Sequence, residues 1–189
     1  MPGVALGFRK VLAQASACRE KVVAMVSVGC LLLAIPFQKL NQPVLRVFVN
    51  SDCPIARRYT PELNRIYREF GSRVSMRLVY CDPDFSRGAA EKHHREFKLA
   101  MSFEQDSRQA LAKSLGVVTV PTAVLSEAGT AGKTGKVLYF GRIDNAYGAD
   151  YKWRKPTDFD LRNAMDDVLK GRKVRVAKTV AIGCSLPRS

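Results

Sequence analysis

The feature that most constrains the fold is a pair of apolar, strand-like segments separated by one amphipathic helical segment. Residues 44–49 are β-branched and apolar, as is typical of a strand that is buried on both faces. Leu63, Ile66 and Phe70 recur at helical spacing, and residues 74–80 alternate as a second strand. Two strands of one sheet that are joined by a helix run parallel. The first half of the chain therefore predicts a β-α-β unit.

The second half of the chain predicts two further strands that are antiparallel to each other and belong to the same sheet. Helical patterns cover residues 87–97 and 107–115, and a strand led by a proline lies within residues 117–125. Residues 137–140 form a further strand across a turn rich in Gly, Thr and Lys, and residues 158–169 form a last helix. We therefore expect an α/β fold with a mixed sheet of four strands or slightly more and with helices on both faces.

The N-terminal segment has the order of residues found in an export signal. Basic residues up to Lys21 precede an apolar stretch over residues 22–37. That length, about 16 residues, lies between the core of a signal peptide and a full membrane span. No small-x-small cleavage motif follows it. Residues 1–40 are therefore predicted to be a signal peptide or a retained membrane anchor that directs the protein to the periplasm, and a buried helix of the domain is the alternative.

One compact domain is predicted over residues 41–172, followed by a basic tail over residues 173–189. The chain has 189 residues, 47% of them hydrophobic, and a formal net charge of +14. Such a charge invites a nucleic-acid partner. The basic residues are scattered, however, and no RNA-binding or zinc motif gathers them, so nucleic acid is not expected as the partner.

Five cysteines narrow the chemistry further. Cys18 and Cys30 fall in the predicted leader, which leaves Cys53, Cys81 and Cys184 for the domain and its tail. Because three is an odd number, at least one of them is free or forms an intermolecular bond. No Cys-x-x-Cys pair occurs, and no metal or other cofactor is expected.

Cys53 is the candidate catalytic residue, because it stands where the first strand ends and a helix begins. Asn50 and Asp52 are turn residues, and Pro54 is favoured at the first helical position. Unpaired amides and the helix dipole at such a place favour a thiolate, although the charge of Asp52 opposes it. The alternative is an inert, half-buried cysteine.

Pro121 is the second element of the predicted site. It follows the β-branched Val120 and begins a strand. The sequence leaves open whether the peptide bond before it is cis or trans. A cis proline would bring this loop beside the amino end of the first helix. We therefore assign Val120 and Pro121, together with Asp52 and Pro54, to a substrate groove around Cys53.

This arrangement resembles the thioredoxin superfamily, and in particular a redoxin family related to the alkyl hydroperoxide reductase and thiol-specific antioxidant group. The resemblance implies that Cys53 begins the first core helix as the active-site cysteine and that Pro121 is a cis proline opposite it. It covers about four fifths of the chain, from Val44 on. The motifs that carry it, in order, are Ser51-Asp52-Cys53-Pro54-Ile55-Ala56, Tyr59-Thr60-Pro61-Glu62-Leu63-Asn64-Arg65, Tyr80-Cys81-Asp82-Pro83-Asp84, Gly141-Arg142-Ile143-Asp144, Pro156-Thr157 and Gly183-Cys184.

Two departures from the pattern limit what the resemblance implies. Thioredoxins have a second cysteine three positions after the first, where this chain has Ala56. Peroxiredoxins have P-x-x-x-T-x-x-C, where this chain has Arg46 and Asn50 in place of the proline and the threonine. Neither an ordinary dithiol motif nor an ordinary peroxidase site is intact.

Cys184 is the candidate resolving cysteine. It lies in the tail after Gly183, and we hypothesise that it forms a resolving or structural disulfide with Cys53. The alternative is an exposed or intermolecular cysteine. Cys81, at a strand end, is interpreted as a small buried hydrophobe.

The predicted function is an exported thiol-based oxidoreductase that reduces disulfides or peroxides with Cys53 as nucleophile. Its substrate would be a protein thiol or disulfide or a peroxide. Similar domains occur beside c-type cytochrome and copper-monooxygenase-like modules in exported bacterial proteins, which implies a cytochrome-type redox partner. The alternative is a non-catalytic binding or metallochaperone-like module in which Cys53 is a ligand or a relic.

Two further groups have open interpretations. His93 and His94 are adjacent on a predicted helix and point about 100° apart, so they do not easily share a metal, although a copper site with Cys53 is conceivable. The loop over residues 143–156 is rich in aromatic residues. It is either a lid over the cysteine or the ordinary packing of a long loop.

Overall fold

The computed structural model describes residues 42–130 and 133–186. The predicted leader over residues 1–40 lies outside them. Among the described residues, no helix is long and apolar enough to cross a membrane. In chain order the elements are β1 (Val44–Val49), α1 (Pro54–Arg58), α2 (Thr60–Phe70), β2 (Ser75–Tyr80), α3 (Arg87–Glu96), β3 (Ser102–Gln105), α4 (Ala110–Leu115), β4 (Thr119–Val120), β5 (Thr122–Ser126), β6 (Val137–Gly141), α5 (Asp160–Leu169) and β7 (Cys184–Ser185).

The main sheet has five strands in the order β3-β2-β1-β5-β6. β1 lies at its centre, where Val47 pairs with Leu78 of the parallel β2 and with Ala123 of the antiparallel β5. β2 and β3 are parallel, and β5 and β6 are antiparallel. The predicted α/β class and the predicted strand directions are confirmed, and β3 is an addition to the four predicted strands.

The core follows from the apolar patterns of the sequence. Leu45, Val47 and Phe48 of the central strand are 0% exposed. α2 covers them with its own apolar stripe, in which Leu63 and Ile66 are buried. Burial of this order removes the largest apolar side chains from water, which is the main favourable contribution to folding. The sheet is thereby a rigid base for the loops at the carboxyl ends of β1 and β2.

The first helical segment differs from the single helix that the sequence predicts. It is divided at Tyr59 into α1 and α2. Pro61 has no N–H to donate to the carbonyl of Arg57, so the hydrogen-bond ladder of α1 stops there. A new ladder begins where the amide of Leu63 donates to Tyr59 at 2.9 Å.

The described part of the tail packs against the sheet. The amide of Phe140 in β6 donates to Ala177 at 2.9 Å, and the amide of Thr179 donates back to Phe140 at 3.0 Å. Further on, β7 pairs with β4 in a second, two-stranded sheet. The tail thereby carries Cys184 from the far edge of the main sheet to the end of β1.

Candidate functional site

Cys53 lies at the junction between β1 and α1. It caps α1 with extended backbone angles, φ −73° and ψ 112°, and Pro54 lies in the first helical turn. Its amide donates to the carbonyl of Asn50 at 3.2 Å, and its carbonyl accepts from the amide of Arg57 at 3.0 Å. Proline suits this turn because it has no N–H that would be left unpaired. The local sequence therefore fixes the position of the Cys53 backbone.

Cys53 and Cys184 form a disulfide bond, with Cα atoms 6.0 Å apart and 131 residues of chain between them. Cys53 is 2% exposed, whereas Cys184 is only partly buried. The structure thus brings together the two cysteines that the sequence singled out. Of the two residues, Cys184 is the one that solvent reaches.

Val120 and Pro121 lie beside this disulfide. The peptide bond between them is cis, and both residues are buried. The Sγ atom of Cys53 is 3.5 Å from the carbonyl oxygen of Val120. The strand led by proline and the helix led by cysteine therefore meet at this point.

In this structure the C-terminal segment occupies the groove that the sequence predicts around Cys53. β7 pairs with β4, and the amide of Leu186 donates to the carbonyl of Val118 at 2.9 Å. Cys53 is consequently 2% exposed, which is less than in the alternative of an inert, half-buried cysteine. The physical reason is that the tail docks through backbone hydrogen bonds, which leave no periodic pattern in the sequence.

Asp52 and Pro54 flank Cys53 but face solvent. The side chain of Asp52 is 95% exposed and pairs with the guanidinium of Arg57 at 3.1 Å. In water, and with a cation beside it, the carboxylate has little effect on the neighbouring sulfur. Of the residues assigned to the groove, Val120 and Pro121 therefore surround the disulfide, while Asp52 and Pro54 lie at its outer rim.

Asp82 holds the turn that carries Cys53. Its carboxylate accepts hydrogen bonds from the amide of Ser51 at 3.0 Å and from the hydroxyl of Ser51 at 2.9 Å. On the other side, the Nε of Arg57 donates to the carbonyl of Ser51 at 2.6 Å. Sequence analysis did not assign Asp82 to the site. The signal was its position two residues after the end of β2, because the carboxyl ends of two adjacent parallel strands lie at the same edge of the sheet.

Cys81 is the neighbour of this residue and is buried as a free thiol. Burial, with smaller contributions from the carboxylates of Asp106 and Asp82, raises its pKa to about 12. Its Sγ lies 3.7 Å from the carbonyl of Val79. At neutral pH Cys81 is therefore a neutral thiol and not a nucleophile.

His93 and His94 both face the hydroxyl of Tyr80. That hydroxyl is 2.9 Å from Nδ1 of His93, and Nε2 of His94 is 2.6 Å from the carbonyl of Met101. Burial lowers the pKa of both histidines. Within residues 42–130 and 133–186, no group of three or more His, Cys, Asp or Glu side chains is arranged to hold a metal ion.

The aromatic loop packs against the junction of α1 and α2. Tyr59 donates its hydroxyl to the buried carboxylate of Asp144 at 2.6 Å, and its ring centroid is 5.8 Å from that of Tyr147. Arg58 lies over the ring of Trp153 at 4.8 Å. Burial, and then the bond to Asp144, raises the pKa of Tyr59 far above its ordinary value. These contacts favour the packing interpretation of the loop over the lid.

Residues 41–129 match a family model whose description is thioredoxin-like. The matched segment runs from β1 to the turn after β5 and includes Cys53, Asp82 and Pro121. A search of curated protein sequences gives no significant match.

Solved structures share this fold at low sequence identity. An uncharacterized conserved protein from Geobacillus kaustophilus has a TM-score of 0.67 and 21% identity, over 79% of this chain and 79% of that chain. A hypothetical protein from Sinorhizobium meliloti 1021 has a TM-score of 0.67 and 21% identity, over 80% and 82%. A proposed thiol:disulfide interchange protein, DsbE, from Chlorobium tepidum has a TM-score of 0.50 and 19% identity, over 69% and 81%. Likeness at these identities establishes the fold.

Proposed function

We propose that this chain, a member of the thioredoxin-like superfamily, is a thiol–disulfide oxidoreductase whose redox-active pair is Cys53 and Cys184. The observation that carries the proposal is the disulfide that joins the end of β1 to the tail beside Pro121. Cys53 lies at the start of α1. At that position unpaired amides stabilise the thiolate, which is the reactive form of cysteine.

The proposed reaction transfers two electrons by two displacements. In the reduced chain the thiolate of Cys53 attacks one sulfur of a substrate disulfide, so a mixed disulfide forms and the other substrate sulfur leaves as a thiolate and takes a proton from water. The thiolate of Cys184 then attacks the sulfur of Cys53. The Cys53–Cys184 bond forms, and the second substrate sulfur leaves. The substrate is reduced and the chain is oxidised. An external dithiol returns the electrons by two further displacements: its first sulfur attacks Cys184 and releases Cys53, and its second sulfur then releases Cys184 and closes the disulfide of the donor.

In the oxidised chain, the exposure of the two cysteines indicates which sulfur the dithiol attacks. Cys53 is 2% exposed and Cys184 is the more exposed residue, which favours attack of an incoming thiolate at Cys184. Cys53 then leaves as the thiolate, at the place where the start of α1 favours its negative charge. Cys81 does not compete, since burial keeps its thiol protonated.

The surroundings of Cys53 favour disulfides over peroxides as substrates. Asn50 stands where a peroxidase has the threonine hydroxyl that activates the peroxide. The carbonyl of Val120, 3.5 Å from the sulfur, accepts hydrogen bonds and has none to donate to a peroxide oxygen. We therefore infer that protein disulfides and thiols are the substrates.

The proposed place of action is outside the cytoplasm, in the periplasm or facing it from a membrane anchor formed by residues 22–37. Two features support this location: basic residues precede the apolar stretch near the N-terminus, and Cys53 and Cys184 are joined in a disulfide. Disulfides persist in oxidising compartments. A cytochrome-type redox module remains the partner that the family resemblance implies.

The test compares two activities of the full chain, the reduction of insulin disulfides by dithiothreitol and the consumption of hydrogen peroxide. We expect the wild type to accelerate insulin reduction and Cys53→Ser to abolish the acceleration. Cys81→Ala is the matched control and keeps it. Equal activity of Cys53→Ser and wild type would contradict the proposal, and peroxide consumption faster than insulin reduction would replace it with a peroxidase. Inactivity of every variant would favour the binding module.

A further inference from the structure

The C-terminal segment over residues 180–186, which we call the strap, lies on the backbone edge of β4. Val120 pairs with Cys184 and Thr119 with Ser185, in antiparallel register. Antiparallel pairing of an added segment with an exposed strand edge is a common way to bind an extended peptide. In the described part of the chain, β7 is the strand that pairs with β4. The strap is therefore bound as an extended peptide would be.

Gly183 makes this pairing possible. A Cβ atom at position 183 would overlap the carbonyl of Val120 and would lie 3.0 Å from Cδ of Pro121. Both obstacles are rigid, because one is backbone and the other is a proline ring. The groove therefore favours glycine directly before the cysteine.

The side chains after Gly183 alternate between the groove and solvent. Cys184 is joined to Cys53, Ser185 is exposed, and Leu186 is 9% exposed among core residues. This alternation is the period of an extended strand. The groove thus accepts a sulfur at one position and an apolar side chain two positions later.

The tail is held in place directly before the strap. Thr179, directly before it, is fixed by bonds from its hydroxyl group to the hydroxyl of Tyr139 at 2.8 Å and from the amide of Arg142 at 3.0 Å. Val180, the first residue of the strap, is 76% exposed. Residues 180–184 span at most about 17 Å when extended. Thr179 therefore marks a fixed end, about which the reduced strap can swing clear of Cys53.

The groove beside Val120 and Pro121 is the substrate groove of the proposed function, and we infer that it selects an extended segment of the pattern Gly-Cys-x-apolar. This inference rests on the proposed function and adds its specificity. In the oxidised chain the strap occupies the site as an internal copy of the substrate. Reduction by an external dithiol breaks the Cys53–Cys184 bond and frees both the groove and the Cys53 thiolate. A substrate segment then binds along β4 with its own sulfur facing Cys53.

The first experiment measures the choice of peptide. The full-length Cys184→Ser variant is mixed with a six-residue peptide, Ala-Ile-Gly-Cys-Ser-Leu, whose cysteine is joined to thionitrobenzoate. The Cys53 thiolate attacks the peptide sulfur, a Cys53–peptide disulfide forms, and thionitrobenzoate leaves as a coloured thiolate that reports the rate. Mass spectrometry identifies Cys53 as the site.

Two altered peptides supply the comparison. Alanine in place of glycine, or serine in place of leucine, should slow the reaction about tenfold relative to the parent peptide. Equal rates for all three peptides at Cys53 would overturn the inference and leave the proposed function intact. If Cys53 reacted neither with the three peptides nor with the free reagent dithiobis(nitrobenzoate), both the inference and the proposed function would be overturned.

The second experiment tests the same contact within the chain. Gly183→Ala should shift the glutathione equilibrium of the Cys53–Cys184 pair toward the reduced form by about tenfold. Gly88→Ala is the matched control, because a Cβ at that position in α3 meets nothing within 4 Å. An unchanged equilibrium in Gly183→Ala would overturn the inference. Circular dichroism of both variants verifies that the fold is kept.

Discussion

The carboxylate of Asp82 accepts both the amide and the hydroxyl hydrogen of Ser51, at 3.0 Å and 2.9 Å. Ser51 lies two residues before Cys53, and Asp82 lies two residues after the end of β2. The turn that presents the sulfur is therefore attached to the neighbouring strand through a single side chain. Asp82 acts as a positioning residue, since it reaches Cys53 through the backbone of the turn.

Replacement of Asp82 by asparagine should loosen this turn. The amide retains one acceptor oxygen but loses the charge, which makes hydrogen bonds to it weaker, so we expect a loss of about 1–3 kcal/mol in the free energy of unfolding. Insulin reduction should slow about tenfold at saturating substrate, because the sulfur is less well placed. Asp84→Asn is the control, since the exposed Asp84 has no hydrogen-bond partner among the described residues. Equal effects of the two substitutions would contradict the positioning role.

Reduction of the disulfide should destabilise the fold. Its loop of 131 residues restricts the unfolded chain, and the chain-entropy relation gives about 5 kcal/mol of stabilisation for a loop of this length. The urea midpoint of the wild type should therefore fall on reduction, whereas that of Cys184→Ser should not change. Identical midpoints for oxidised and reduced wild type would show that the bond does not constrain the unfolded chain.

Removal of the Tyr59 hydroxyl should weaken the junction between α1 and the aromatic loop. Tyr59→Phe leaves the buried carboxylate of Asp144 with the amide of Ala146, at 2.9 Å, as its remaining donor. We expect a loss of about 1.5–3 kcal/mol in urea unfolding, the usual range for a hydrogen bond to a charged group. Tyr67→Phe removes a hydroxyl without a hydrogen-bond partner among the described residues and should change stability little. A similar loss in both variants would assign the effect to the ring and not to the bond.

The start of the tail should be sensitive to acid. Bonds from Arg172 and then from Arg175 hold the pKa of Asp167 at about 2. In the unfolded chain an aspartate has a pKa of about 3.9, so the unfolded state binds the proton more readily. The stabilisation is therefore complete above pH ~4 and is lost as the pH falls toward 2.

The free energies of unfolding of wild type and Asp167→Asn, measured against pH, test this. Their difference should be constant above pH ~4 and should shrink between pH ~4 and pH ~2. A difference that is independent of pH over that window would show that the carboxylate charge is not what holds the two arginines.

The sequence predicts those parts of the fold that bury side chains in a periodic pattern. β1 and β2 are apolar enough to identify, and the helix between them determines that they run parallel. β3 shows the opposite case. Its residues are only partly buried or exposed, and it joins the sheet through backbone pairing with β2. A polar edge strand of this kind resembles a loop in the sequence.

The site divides in the same way. The junction of Cys53 and Pro54 is local and could be predicted, because turn and cap residues occupy adjacent positions. The hydrogen bond between Asp82 and Ser51 depends on the register of two strands. The close contact between Gly183 and the carbonyl of Val120 depends on the path of the tail around the sheet. Neither relationship is encoded by residues close together in the chain.

The most direct test of the account is a glutathione redox titration of the full-length chain, with thiols alkylated and assigned by mass spectrometry. We expect Cys53 and Cys184 to become modified together, as one two-electron couple, while Cys81 keeps the same state throughout. Two results would contradict this expectation. In one, Cys53 and Cys184 titrate independently; in the other, the bond between them persists at every glutathione ratio while insulin reduction continues.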